Sequence, residues 1–229
     1  MSDCHSVRVN GIRLAYRRFG APQSPPVLLL HALGETSANW DAIAPLLAVD
    51  RAVYALDLRG HGGSDRTDSY SLEAMRDDVI GFLELLQLSP VDLIGHSMGG
   101  TVAYLVAQQW PNAISRLVLE DPGPPFPADP PRTLPERPGG PLDFDWAVVE
   151  ALLPERNAPP PRWWERLTEI TAPTLVLGGG PTSHIPQEEL AKVADRIPDA
   201  RFRTVPAGHL IHDGLPEEFL AEITTFLNG

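Results

Sequence analysis

Apolar positions along the chain follow two spacings, which predict strands that alternate with helices. Short, mainly apolar runs, typical of buried strands, lie at residues 27–30, 52–56, 91–94, 117–119 and 174–177, and a further strand is predicted near residues 202–205. Apolar residues at helical spacing lie at residues 39–49, 72–86, 98–110, 187–196 and 219–227. Near the start, Asn10-Gly11 separates two alternating runs and predicts a β-hairpin. The order favours a mainly parallel sheet covered by helices on both faces.

One segment breaks this pattern. Residues 122–161 contain thirteen of the 25 prolines, which fix φ and remove backbone donors, so long regular elements are excluded there. A disordered linker is one interpretation, but the aromatic residues of the region argue against it: Phe126, Phe144, Trp146, Trp163 and Trp164. We therefore expect residues 122–165 to form a short, mostly irregular cap over the carboxyl edge of the sheet, within a single domain of residues 1–229.

Composition narrows the classes of function. The 229 residues suffice for one sizeable core, and the net charge of −12 argues against a nucleic-acid or anionic-membrane partner. Cys4 is the only cysteine, so an internal disulfide or a thiolate metal cluster is excluded. We find no signal peptide or membrane span in the sequence, which predicts a cytoplasmic protein acting on a small molecule. Oligomeric state stays open.

The most informative motif is Gly95-His96-Ser97-Met98-Gly99, which lies between a predicted strand and a predicted helix. A Gly-x-Ser-x-Gly in this context is typical of a nucleophile elbow, in which a tight turn exposes the serine hydroxyl at the top of the sheet. A Cβ two residues before or after the serine would clash in such a turn, which explains Gly95 and Gly99. Ser97 is therefore the candidate nucleophile.

A serine hydroxyl needs a base to accept its proton. His209 follows the last predicted strand, and loops after parallel strands emerge at one edge of the sheet, so His209 and Ser97 are expected to meet. His212, three residues later in the same loop, is the rival candidate. For the developing oxyanion, the sequence offers the backbone N–H groups of Met98 and of Leu33, in the loop after residues 27–30. His31 is expected to be structural.

Taken together, these segments resemble the α/β-hydrolase family over nearly the whole chain. The resemblance rests on the elbow, on His31-Ala32-Leu33-Gly34, on Asp57-Leu58-Arg59-Gly60-His61-Gly62-Gly63-Ser64 and on the Gly208-His209 loop with Pro216-Glu217-Glu218-Phe219. It implies a Ser-acid-His triad, an eight-stranded mostly parallel sheet, no cofactor or metal, and a variable cap after the sixth strand.

The acid of the triad departs from the family pattern. In the family it usually follows the strand that corresponds to residues 174–177, where this chain has Thr182 or Ser183, and neither side chain carries a charge. Some members place the acid one strand earlier, where this chain has Asp121. Asp121 is our candidate. Further alternatives were Glu120, then Asp143 or Asp145, and a Ser-His dyad with His209 oriented by His184 or a backbone carbonyl.

Three classes of function fit these residues. The first is a serine hydrolase that cleaves a small carboxylic ester, lactone or thioester through an acyl-enzyme. The second is a lyase or C–C bond hydrolase on the same scaffold, and the third is a ligand-binding member without a full triad. The aromatic residues Trp40, Trp163 and Trp164 are candidates for lining an apolar substrate pocket, although each could equally belong to the core of the cap.

Overall fold

A single eight-stranded sheet organises the chain in the computed structural model, which describes residues 3–229. The strands lie in the spatial order β1-β2-β4-β3-β5-β6-β7-β8. They are β1 (Asp3–Val9), β2 (Ile12–Phe19), β3 (Pro26–Leu30), β4 (Ala52–Leu56), β5 (Val91–His96), β6 (Ile114–Glu120), β7 (Thr174–Gly178) and β8 (Ala200–Thr204). Pairing of β1 with β2 and of β2 with β4 is antiparallel, and all other pairs are parallel. The predicted α/β fold is confirmed.

Helices cover both faces of this sheet. They are α1 (Ala44–Leu47), α2 (Leu72–Leu86), α3 (Met98–Gln109), α4 (Ala147–Asn157), α5 (Pro161–Glu165), α6 (Gln187–Arg196), α7 (Ile211–Gly214) and α8 (Pro216–Asn228). The apolar residues of α2, α3 and α6 pack on one face, and those of α1, α7 and α8 pack on the other. Successive residues of each central strand face opposite cores. In β3, Leu28 and Leu30 face the core formed with α2, α3 and α6, and Leu29 faces the core formed with α1, α7 and α8.

The helix predicted at residues 39–49 is wrong in its extent. The structure has a 3-10 turn, Ser37–Trp40, and then the single turn of α1. Pro45 lies at the start of α1, where its missing N–H is tolerated. A continuous helix through this position would lose a hydrogen bond and place the proline ring against the carbonyl four residues earlier.

The segment between β6 and β7 contains the proline-rich region. Residues 121–146 lack helices and strands apart from an isolated bridge between Phe144 and His61. The expected exclusion of long regular elements is wrong for residues 147–157, where α4 is a helix of 11 residues that contains Pro154. The helix α5 and a 3-10 turn, Arg166–Glu169, follow before β7. Side chains from this segment, among them Arg132, Arg156 and Trp163, line a cavity over the carboxyl edge of the sheet. None of the helices within residues 3–229 is both long and apolar enough to cross a bilayer.

Candidate active site

Ser97 occupies a strained turn between β5 and α3. Its backbone has φ of 52° and ψ of −112°, a left-handed conformation that side-chain-bearing residues rarely adopt. The turn is held by hydrogen bonds from the Ser97 N–H to the Glu120 carbonyl (2.9 Å) and from the Thr101 N–H to the Ser97 carbonyl (3.0 Å). Strain confined to one serine at the end of a central strand is typical of a nucleophile elbow.

Close backbone packing explains the glycines of the motif. A Cβ on Gly99 would lie 2.4 Å from the Leu30 carbonyl oxygen and 2.6 Å from that of His31, and a Cβ on Gly95 would lie 2.3 Å from the Gly99 carbonyl oxygen. The start of α3 therefore lies directly against the loop after β3. The two segments that carry the candidate oxyanion donors are held at a fixed distance by this contact.

We predict that Gly99→Ala destabilises the protein strongly. The added methyl group would meet backbone atoms, which cannot rotate away, and we expect the cost in the free energy of unfolding to lie at the upper end of the usual range for overpacking, about 3 kcal/mol. Urea denaturation measures the change. Gly139→Ala is the matched control, since a Cβ there has no atom within 4 Å, and equal stability of the two variants would contradict the prediction.

His209 lies between Ser97 and Asp121. The Ser97 Oγ is 2.9 Å from His209 Nε2, and His209 Nδ1 is 2.6 Å from Asp121 Oδ2. With the proton on Nδ1 donated to the carboxylate, Nε2 is free to accept the serine proton. The His209 side chain is 21% exposed and that of Asp121 is fully buried. The chain therefore assembles the order of contacts that activates a serine hydroxyl.

The Asp121 carboxylate is kept ionised by its hydrogen bonds. Burial alone would raise its pKa, but the bonds from His209, from the Ser183 hydroxyl and from the Gly179 N–H (2.9 Å) outweigh burial and hold the pKa below its ordinary value. Ser183, one of the two residues considered with Thr182 for the position of the family's usual acid, thus donates a hydrogen bond to Asp121 from the loop after β7.

The other candidate acids have different partners. Glu120 is fully buried, and its carboxylate accepts the backbone N–H of His212 (2.9 Å) and lies 2.9 Å from His212 Nδ1. His212 is 1% exposed and stacks on Trp40, so it does not replace His209. In the cap, Asp145 accepts from the Tyr70 hydroxyl at 2.8 Å. Asp143 has no hydrogen bond or ion pair to His209 among the bonds of residues 3–229.

A buried network contacts the loop that carries His209. His96 Nε2 lies 2.9 Å from the His209 carbonyl oxygen, and His96 Nδ1 lies 3.5 Å from a Glu35 carboxylate oxygen. The side chains of His96, Glu120 and His212 come within 4.8 Å of one another, a spacing that a metal ion could also use. Since Glu120 already bonds to His212 and His96 contacts the His209 carbonyl, we interpret the cluster as a hydrogen-bond network that positions the loop.

Two histidines hold the loop that carries the Leu33 N–H. His31 Nδ1 donates to the Ala32 carbonyl (2.7 Å) and its Nε2 accepts the Leu58 N–H (3.0 Å). His61 Nδ1 donates to the Arg59 carbonyl and its Nε2 accepts the Gly34 N–H (3.2 Å). Both rings are therefore neutral, and the structural role expected for His31 agrees with its contacts. Met98 is the first residue of α3, where a backbone N–H has no acceptor within the helix. Among the hydrogen bonds of residues 3–229, neither the Leu33 N–H nor the Met98 N–H has an acceptor in a turn or loop.

We predict that acid destabilises the protein through these two rings. Burial lowers the pKa of His31 to about 4 and that of His61 to about 3, whereas the unfolded chain takes up protons near 6.5. The unfolded state binds more protons below pH 6.5, so stability is complete above that value and falls as the pH drops toward 4. Between pH 6.5 and 5, each ring accounts for a loss of about 2 kcal/mol in the free energy of unfolding.

Urea denaturation at several pH values measures this loss. His31→Gln and His61→Gln keep an amide in place of the ring but do not titrate, so each is expected to flatten the pH dependence between 6.5 and 5. His5→Gln is the control, because His5 lies in β1 and takes no part in the hydrogen bonds of His31 and His61. A wild-type stability that stays constant over this range would contradict the prediction.

A cavity with an empty volume of about 550 Å³, partly open to solvent, lies beside Ser97. Its lining combines the loop after β3, the start of α3 and the cap: Leu33, Leu72, Ser97, Met98, Thr101, Tyr104, Gly123, Pro124, Arg132, Glu155, Arg156, Pro159, Trp163, His184 and Ile185. The His184 and His209 rings lie 4.1 Å apart, although Asp121, and not His184, bonds to His209 Nδ1.

Only one of the three expected pocket tryptophans lines this cavity. Trp163 does so, and its Nε1 donates to Glu73 (3.1 Å). Trp40 does not: it is fully buried on the opposite face of the sheet, against His212 and Phe219, because the 3-10 turn directs it into the core. Trp164 packs against Phe126 within the cap, 4.9 Å between ring centroids. Sequence reasoning missed Arg132 and Arg156, which no local pattern distinguishes from surface arginines.

Comparison with known proteins agrees with this geometry. A family model described as alpha/beta hydrolase fold matches residues 25–148, more than half of the chain. The sn-1-specific diacylglycerol lipase ABHD11 of Mus musculus is 27% identical over 248 residues, covering 89% of this chain and 81% of that protein. Some relatives are longer: mycobacterial proteins matched over 116 residues are covered over only 33% of their length.

Solved structures share the complete fold. E-2-(acetamidomethylene)succinate hydrolase superposes with a TM-score of 0.87 at 21% identity, over 100% of both chains. The enol-lactonase of Burkholderia xenovorans superposes with a TM-score of 0.85 at 20% identity, over 98% of this chain and 100% of that one. The family match, the sheet order and the strained elbow serine agree, so the chain belongs to the α/β-hydrolase fold family and is a hydrolase.

Proposed function

We propose that this protein is a serine hydrolase that cleaves a small carboxylic ester, lactone or thioester through an acyl-enzyme. The observation that carries the proposal is the continuous contact from Ser97 Oγ through His209 to Asp121 at the wall of a cavity. Names of similar proteins support acyl chemistry, since the mouse relative is a lipase and the Burkholderia neighbour a lactonase.

The proposed reaction begins with attack of the Ser97 hydroxyl oxygen on the substrate carbonyl carbon. His209 Nε2 accepts the hydroxyl proton, and the Asp121 carboxylate stabilises the resulting imidazolium. The N–H groups of Leu33 and Met98 donate to the oxyanion of the tetrahedral intermediate. His209 then gives the proton to the leaving alcohol or thiol. Water, deprotonated by His209, cleaves the acyl-enzyme in the same way and restores the serine, so the route uses no cofactor.

The test is a substrate panel combined with active-site labelling. Purified protein is assayed on p-nitrophenyl esters of two to eight carbons, on a small lactone and on a thioester, and is treated with a fluorophosphonate that reacts with activated serines. We expect labelling and turnover of at least one substrate class. Labelling without turnover on any of them would favour a lyase or C–C bond hydrolase instead. Absence of both would favour a ligand-binding protein.

A further inference from the structure

Two arginines of the cap line the cavity beside Ser97. Arg132 comes from the irregular part of the cap and Arg156 from the end of α4, and both line the cavity with Ser97 and His184. Burial and the neighbouring His209 lower the pKa of His184, and the charges of Arg132 and Arg156 lower it further. Both cations therefore act on the ring that lies beside His209, 4.1 Å between ring centroids.

The two arginines differ in how they are held. A guanidinium N–H of Arg132 donates to the Arg156 carbonyl (2.7 Å), and the Asn157 side chain bonds to both the N–H and the carbonyl of Arg132. Arg132 therefore joins the irregular part of the cap to the end of α4. The Arg156 guanidinium, by contrast, has no hydrogen bond or ion pair with any of residues 3–229. Burial and the like charge of Arg132 both lower the pKa of Arg156.

Acidic side chains near the cavity are already engaged. The Glu155 carboxylate lines the cavity but accepts the Leu72 N–H at 2.9 Å. Glu73 pairs with Arg162 at 2.6 Å. This chain has 30 acidic residues against 18 basic ones, so two adjacent half-buried cations without a carboxylate partner are an exception to its charge balance. Holding like charges together in a half-buried site is costly unless an anion joins them.

We infer that Arg132 and Arg156 bind an anionic oxygen group of the substrate, a carboxylate or a phosphate, while Ser97 attacks its ester, lactone or thioester carbonyl. The guanidinium fork pairs with such groups through two parallel hydrogen bonds, which gives both affinity and orientation. Leu33, Met98 and Ile185 offer apolar surface for the body of the same molecule. The inference rests on the proposed function for its reaction, but the anion site itself does not depend on catalysis.

The first test compares a charged with a neutral ester. The ratio of kcat/KM for mono-p-nitrophenyl succinate to that for p-nitrophenyl butyrate is measured in wild type and in Arg156→Gln. We expect the ratio to fall roughly 10- to 100-fold, the loss typical of a hydrogen-bonded ion pair. Arg156→Lys keeps the charge without the fork and is expected to lie between the two. Arg137→Gln removes an exposed cap arginine outside this cavity and should leave the ratio unchanged.

The second test measures binding without turnover. Calorimetric titration of Ser97→Ala with succinate and with inorganic phosphate is repeated in Ser97→Ala/Arg156→Gln, after thermal denaturation has shown that both proteins fold. A dissociation constant that is at least tenfold higher in the double variant supports the anion site. The ligand that binds more tightly, succinate or phosphate, shows whether the site prefers a carboxylate or a phosphate. If neither esters nor fluorophosphonate react but this binding persists, the proposed function fails while the anion site stands. An unchanged ester ratio together with no Arg156-dependent binding overturns the inference.

Discussion

Replacement of Ser97 by alanine is expected to lower kcat by roughly 10⁵-fold on any substrate that the wild-type protein hydrolyses. The Oγ is the atom that would form the bond to the acyl group, and no other hydroxyl lies within hydrogen-bond distance of His209 Nε2 in residues 3–229. Binding and the oxyanion donors would remain, so KM should change little and a small residual rate should persist. Fluorophosphonate labelling, measured by mass spectrometry of the peptide that contains Ser97, should disappear.

Two features make this result interpretable. The alanine removes one oxygen and leaves the strained turn in place, so thermal stability should stay close to that of wild type; circular dichroism checks this. Ser69→Ala, at an exposed loop position, controls for unspecific effects of losing a serine. A Ser97→Ala protein that is folded and retains more than a few per cent of the wild-type kcat would show that another group performs the reaction.

The fold could be predicted where periodicity is strong. The helix at residues 187–196 was predicted with the bounds that α6 has, because its apolar residues recur on one face. The central strands are short and mainly apolar, and the parallel order that follows from them brings His209 to Ser97. At residues 39–49, by contrast, apolar spacing alone did not reveal that Pro45 divides the segment into two short turns.

The candidate site was predictable in part, for a similar reason. Glu120 and Asp121 are adjacent at the end of β6, and their side chains go to different partners: Glu120 to His212 and Asp121 to His209. Spacing along the sequence does not show which of these two neighbours faces the site, and in the structure Asp121 has a positive φ of 41°. Arg132 and Arg156 enter the cavity only through the folding of an irregular segment, which no spacing rule describes.

Asp121→Asn is expected to reduce kcat by roughly 10³- to 10⁴-fold with little change in KM. Asp121 Oδ2 now accepts the His209 Nδ1 proton and the Ser183 hydroxyl proton, and Oδ1 accepts the Gly179 N–H. An asparagine can present one oxygen only, and Gly179 and Ser183 compete for it. An amide NH₂ directed at His209 would move the ring proton to Nε2, which then could not accept the proton of Ser97. Pre-steady-state acylation measures the loss.

The arrangement around Asp121 permits a sharper version of this test. Of Thr182 and Ser183, the two residues at the place of the family's usual acid, Ser183 has the hydroxyl that contacts the carboxylate bonded to His209. Adding Ser183→Asp to Asp121→Asn should therefore recover at least tenfold in kcat. Ser183→Asp alone should lower activity, since it sets two carboxylates side by side in a buried site. Asp129→Asn, at an exposed cap position, is the control. A full rate in Asp121→Asn would instead mean that Ser97 and His209 act as a dyad, and that the buried carboxylate only holds the strand end in place.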